Sequence, residues 1–374
     1  ITKTTILDYL KQITMKKRTL RRLIFAAIGI MLLCYYLISA KIDYAKMYAY
    51  CLDGDVKSAM TLLKLSDNKI LSPKGWIIKS RFEKRFKYSE DKSDYLESRE
   101  SQITELLTIY RNYWRAALLD NSKNYDTILK QNITNFLIDK YPSAHNLIAN
   151  DDSLDIYTKK YIESFGLHTT GFGKTGKLFD LLVWKTETSN NYSLILDNEE
   201  KNTEVVLMDD FITLGWEEYA TLDRGHPGGW AGKNALYCVK GSYDFDSEQF
   251  NISFLAHESR HFADYKLFPN LKNADLEYRA KLTELSVGQK TLYTTIDDFI
   301  INANDKSANG HSIADFCVIR DLSKALFNVE FEKDIQKWKN LSIEQINKTA
   351  NEILLENTKS LKNLGSGVEK FIIQ

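Results

Sequence analysis

Residues 254–265 read FLAHESRHFADY, and within them His257-Glu258-Ser259-Arg260-His261 brings together residue types that can serve one metal ion. In a helix, positions i and i+4 lie one turn apart on the same face, so both imidazoles can bind a single zinc ion. The glutamate directly after the first histidine can reach a water on that metal. Zinc would act as Lewis acid and lower the pKa of the water, while Glu258 would take its proton and pass it to the leaving amine. Imidazole is a neutral, borderline-soft ligand, whereas a carboxylate is a base that need not occupy a metal position. With six histidines in the chain, an HExxH arises by chance in roughly one sequence in a hundred. The bland alternative is a surface helix with an i,i+4 histidine pair, so the surroundings have to decide.

The segment from Ser247 to Leu267 contains neither Gly nor Pro, and Phe254, Leu255, Phe262 and Tyr265 give the motif apolar neighbours. It stops at Phe268-Pro269, a helix-ending signal. A second helix is expected over 274–287 (ADLEYRAKLTELSV), with Glu277 and Glu284 seven residues apart and therefore on one face. Two antiparallel helices, one carrying HExxH and the next a glutamate, resemble the active-site core of the gluzincin class of zinc metallopeptidases over roughly residues 200–320. The resemblance implies a zincin-like catalytic domain holding one zinc ion. His257 and His261 would be ligands, Glu258 the general base and acid, and one downstream glutamate the third ligand. The spacing of thermolysin-like and aminopeptidase motifs falls between the two candidates. Glu277, nearer the turn, is preferred; Glu284 is the alternative, or a group behind the ligands. No third histidine follows soon after His261, unlike the metzincin pattern.

Two further segments fit a peptidase cleft. GHPGGWAGKNALYCV (225–239) combines a glycine turn with a strand. By the same resemblance, an edge strand in that place pairs with extended substrate backbone, which makes Gly229, Trp230 and Ala231 candidate substrate contacts. An ordinary turn and core strand fits the residues equally well. His311, after an Asn-Gly turn, could donate to the oxyanion of the tetrahedral intermediate; capping a helix is its competing role. His226 is the weaker rival, His145 and His168 read as structural, and Arg279 reads as orienting Glu277 or a neighbouring carboxylate.

These groups need elements to hold them, and the chain of 374 residues has room for several. Its 50 basic and 50 acidic residues and 44% hydrophobic content exclude wholesale disorder and coiled-coil composition. The neutral balance also speaks against a nucleic-acid partner. Residues 1–22 form a basic tail, with Lys3, Lys11, Lys16, Lys17, Arg18, Arg21 and Arg22 against Asp8 alone. The uncharged run from Leu23 to Ala40 would be about 27 Å long as a helix, close to a bilayer's hydrocarbon thickness. The positive-inside rule places the tail in the cytoplasm and everything after residue 40 outside it. Residues 23–40 thus read as a single transmembrane anchor, with signal-peptide cleavage near Ala40 as the alternative.

Residues 41–165 read as a helical domain that a protein partner could use. Residues 166–320 read as the metallopeptidase domain with a small, mainly antiparallel sheet, in which polar stretches such as TSNN and NEEK separate short strands. Residues 321–374 read as C-terminal helices packed on as an appendage. The fold class is α+β. Gly171–Lys177 nearly matches a P-loop, but Leu178 stands where the magnesium-binding hydroxyl belongs, so the segment reads as a flexible basic loop. The cysteines read as free and buried. The expected activity is hydrolysis of a protein or peptide substrate by a membrane-anchored zinc enzyme. The rivals are a membrane-tethered binding or assembly protein with a structural or inactive zinc site, and a zinc hydrolase of some other amide bond.

Overall fold

In the computed structural model, residues 24–31, 42–64, 71–97, 100–144, 146–148, 150–196, 199–306 and 309–372 are described. Residues 24–31 form helix α1; the basic tail 1–22 and positions 23 and 32–40 of the expected anchor lie outside the described residues. Among the described residues no helix is long and apolar enough to cross a membrane.

The first body is helical because its apolar residues recur at helical spacing and its termini carry caps. After α1 come α2 (Tyr44–Leu52), α3 (Val56–Lys64), α4 (Pro73–Phe82), α5 (Thr104–Leu119), α6 (Asp126–Lys140) and α7 (Asp151–Glu163). Asp43 caps α2, Ser72 followed by Pro73 opens α4, and Asn150 with Ser153 forms a reciprocal capping box on α7. The stripe Ile103, Leu107, Tyr110, Trp114 and Leu118 is buried throughout. Helix α6 carries a stripe of its own. Leu129, Ile133, Phe136 and Leu137 are buried, whereas Ile128 faces solvent.

The sheet follows: β1 (His168–Thr169), a small hairpin of β2 (Gly173–Thr175) and β3 (Leu178–Asp180), then β4 (Leu182–Leu196) and β5 (Glu199–Leu214). Helix α8 (Trp216–Thr221) intervenes before β6 (Gly229–Ala231) and β7 (Leu236–Val239). The order is β1-β4-β5-β7-β6, with β5 and β7 parallel and the other pairs antiparallel. Two sequence expectations change here. The polar stretch 188–191 is not a turn but the middle of β4, where Thr188 pairs with Leu207 and Asn190 with Val205. Backbone pairing to an apolar neighbour carries a polar strand that its own side chains would not announce. The segment 171–177 is not a flexible loop either. It enters the β2–β3 hairpin, where Lys174 Nζ lies 2.6 Å from Asp126 Oδ2 and Lys177 Nζ donates to the Asp53 carbonyl at 2.7 Å.

One apolar core joins the helices to the sheet. It runs from Met47 through Trp114 to Phe179, Val183, Ile212 and Trp216. Trp114 Nε1 donates to the Phe179 carbonyl at 2.9 Å. One sheet face packs Val205, Leu207, Leu236 and Cys238 against Phe250, Phe254 and Leu255. These last belong to a π-helical turn, Phe250–Ala256, that runs directly into α9 (His257–Leu267). Helices α10 (Asn273–Val287), α11 (Leu292–Asn302), α12 (Gly310–Phe327), α13 (Ile335–Lys339) and α14 (Ile343–Leu364) complete the α+β architecture. The structure places α14 as more than an outer appendage: it packs along α10 and buries Ile346, Ala350, Leu354, Asn357 and Leu361. Cys51, Cys238 and Cys317 are free and buried.

The joint between sheet and α8 has a sharp chemistry. Gly215 adopts φ 89°, and a Cβ there would collide with the carboxyl of Asp180. Asp180 Oδ1 accepts from the N–H groups of Trp216 and Leu181, each at 2.9 Å. Burial pushes this carboxyl up to about 7 despite those donors. The folded state therefore prefers the neutral form, and the stability this contributes is present below pH ~4 and is lost as pH rises through 7. We expect Asp180→Asn to gain about 2–3 kcal/mol on the native protein between pH 5 and pH 8. Urea unfolding at the two pH values would show this; a difference independent of pH would exclude it.

Candidate metal centre

The π-helical turn sets the entry to α9. Its wider turn stacks Phe250 on Phe254, with centroids 5.5 Å apart, and brings His257 to the first position of the α-helix. His257 and His261 then share one face, rings edge to face, with their Nε2 atoms 3.0 Å apart. Glu277 comes from α10. Its Oε2 lies 3.4 Å from His257 Nε2 and its Oε1 3.4 Å from His261 Nε2. All three side chains are buried, and one ligand atom from each falls within 4.8 Å of the others.

These separations pass a physical test. Tetrahedral ligands bound at 2.0–2.1 Å to zinc stand about 3.3 Å from one another, which is the spacing of this trio. The two Nε2 atoms face each other at 3.0 Å, a spacing that one shared proton or one bound ion can satisfy. Glu277 Oε2 is also buried without hydrogen-bond geometry to any described donor. Burial works against charge on His257, yet Glu277 and Glu284 on either side raise its pKa well above the usual value. Burial likewise opposes the charge of Glu277, but His311, His257 and His261 hold its carboxyl well below the usual range.

Behind the trio stands a layer of orienting contacts. Glu284 Oε1 lies 2.7 Å from His257 Nδ1; in the neutral, metal-binding imidazole it would accept from Nδ1–H and leave Nε2 as the ligand atom toward Glu277 and His261. Of the two roles open to Arg279 in the sequence, orienting Glu277 or a neighbouring carboxylate, the structure gives the second, with Asp264 as the carboxylate. Arg279 makes a two-pronged bond to Asp264 at 2.7 and 2.9 Å, with both side chains fully buried, and its remaining nitrogen reaches Asn357 and Thr358 on α14. This clamps α9, α10 and α14 together. Lys281 Nζ sits 2.8 Å from Asp315 Oδ1 on α12.

The remaining candidates are placed as follows. Glu258 is partly buried beside β7, where its charge adds to burial in pushing the Cys238 thiol up to about 12. His311 is exposed, with Nδ1 2.9 Å from Glu277 Oε2. The cap of α12 is Asn309 rather than His311: its side chain accepts from the His311 N–H at 2.9 Å. Strand β6 is the edge of the sheet, and a Cβ at Gly229 would run into Phe254 and the Tyr237 carbonyl. Ala231 packs on that same side, whereas Trp230 stacks on Tyr237 with the cluster on the opposite face. His226 Nδ1 lies 3.0 Å from the neighbouring Pro227 carbonyl. His168 stacks on Trp184 and lies 3.5 Å from Glu187, and His145 lies outside the described residues. Burial pushes the Glu217 carboxyl of α8 up, and His311 and His226 draw it back.

Sequence reasoning missed Asp264, Lys281, Asp315 and Asn357. Only one signal pointed their way: α10 carries Asp275, Glu277, Arg279, Lys281 and Glu284 and still stays buried. We expect Asp264→Ala to cost about 3–5 kcal/mol by leaving Arg279 buried without its anion. Denaturant unfolding measures this directly, and a loss below 1 kcal/mol would contradict the clamp.

Searches for a matching family model, a similar curated protein and a similar solved structure each find no match to this chain.

Proposed function

We propose that this chain is a zinc metallopeptidase of gluzincin type, held to a membrane by residues 23–40 with its catalytic body outside the cytoplasm. The observation that carries the reading is the buried trio of two Nε2 atoms and one carboxylate at ligand spacing. His257, His261 and Glu277 would hold one zinc ion, and Glu284 would stand behind His257. When bound, such an ion supplies Lewis acidity to the substrate carbonyl and the attacking water. The chain's own groups do the rest. Glu258 takes the proton of the water and delivers it to the leaving nitrogen. His311, at the solvent-facing edge of the trio, donates to the oxyanion. The outer edge of β6, which pairs with no other described strand, offers its backbone to an extended peptide.

The rival is a tethered binding protein with a closed structural site. Three protein ligands gather among the described residues, and a catalytic centre keeps its fourth position open whereas a structural one fills it. A count of three protein ligands is the number a catalytic site uses, and it supports the peptidase.

Metal content of the full chain should be one zinc per molecule, lost in His261→Ala. Glu258→Gln should keep the zinc and lose about 10²–10⁴-fold in kcat on a fluorogenic peptide mixture. Hydrolysis unchanged by that substitution in zinc-loaded protein sinks the peptidase reading. Zinc in the wild type without hydrolysis of any peptide supports the structural rival.

A further inference from the structure

Helix α10 presents Glu277, Lys281 and Glu284 at i, i+4 and i+7, one buried stripe facing α9 and α12. The first carboxylate faces both histidines and the last holds His257 Nδ1. Between them the ammonium of Lys281 meets Asp315 at 2.8 Å and lies over the Phe299 ring, 4.2 Å from its centroid. Asp315 in turn follows His311 by one turn of α12, so two rungs join the helices: Glu277 with His311 and Lys281 with Asp315.

The charges of this stripe do not close by themselves. Glu277, Glu284 and Asp315 are 5%, 5% and 3% exposed, and Lys281 is 8% exposed. Three buried carboxylates stand against one buried ammonium, an excess of two negative charges. The ligand imidazoles are neutral once an ion is bound, the Arg279–Asp264 pair cancels internally, the buried Arg260 and Asp275 carry one charge of each sign, and Glu258 keeps contact with solvent. We propose that Lys281 sets the charge of the centre, so that one divalent cation, and neither a monovalent nor a trivalent one, brings it to neutrality. The inference rests on the metal reading above and names the residue that determines which ion the trio accepts. A buried excess charge is expensive, so any change at Lys281 or Asp315 alters how strongly a divalent ion is drawn in. The two residues form one ion pair, yet their removal changes that charge in opposite directions.

The test uses the full chain, stripped by chelation, with zinc affinity measured by competition against a chromophoric chelator at fixed pH. Lys281→Met should bind zinc about tenfold tighter, Asp315→Asn about tenfold weaker, and the double variant within about threefold of wild type. Visible absorption of the cobalt-loaded forms should be unchanged, because no ligand is lost. If both single variants weaken zinc alike, or neither moves it, the pair only packs the helices and the proposal falls. Should Lys281→Met fold only with the ion present, that dependence supports the proposal. Should it not fold at all, Asp315→Asn against the double variant decides: affinity restored in the double upholds the charge role, and affinity left low overturns it. A wild type that takes up no zinc overturns the metal reading itself, and is told apart by all four proteins behaving alike.

Discussion

The burial of α10 is the constraint on which the rest of this structure depends. Eleven consecutive residues, Asp275 to Leu285, are buried, and five of them carry ionisable side chains other than tyrosine and a further one is the Arg279 guanidinium's neighbour Tyr278. A helix hidden on every side is ordinarily apolar all round. Here each surrounding element brings a partner for one charge: α9 brings His257, His261 and Asp264, α12 brings Asp315 and His311, and α14 brings Asn357. The apolar share is left to Leu276, Ala280, Leu282 and Leu285. Helix order around α10 is therefore dictated by electrostatic satisfaction as much as by hydrophobic area.

The sheet has a different task. Its face toward α9 is aromatic and apolar, and Phe250 and Phe254 anchor the π-helical turn against it. Because β6 comes so close to Phe254 that only glycine fits at 229, the edge strand is held against the start of α9. The interlocking of turn and strand fixes the distance between a backbone edge and the trio. Rigid elements place such groups more accurately than loops can.

Legibility from the sequence followed the local patterns. The HExxH helix, its stop at Phe268-Pro269 and the following helix with Glu277 could all be read, because helical period and breakers act within a few residues. The pairing of two histidines with Glu277 rather than Glu284 could not be settled by spacing, since both glutamates lie on one face of α10. What separates them is which nitrogen of His257 each one meets, 3.4 Å from Nε2 for Glu277 and 2.7 Å from Nδ1 for Glu284. The partner of Arg279 was out of reach for another reason. Asp264 and Asn357 stand 15 and 78 residues away, and no local pattern encodes contacts of that separation. The strand at 188–191 was misread because β-structure depends on the neighbour across the sheet.

The core shared by helices and sheet bears on how such a protein can be divided and recombined. Arg85 from the helical part is 2% exposed and donates to the Tyr219 carbonyl, while its guanidinium lies over the Tyr95 and Tyr219 rings. Trp114 reaches Phe179 in the same way. A gene fragment beginning after α7 would encode the trio and yet leave Phe179, Trp216 and Tyr219 bare to water. The helices are thus no cargo carried beside a self-sufficient unit. They are the foundation on which α8 and the sheet rest, and recombination could transfer the chemistry to a new context only by moving both together.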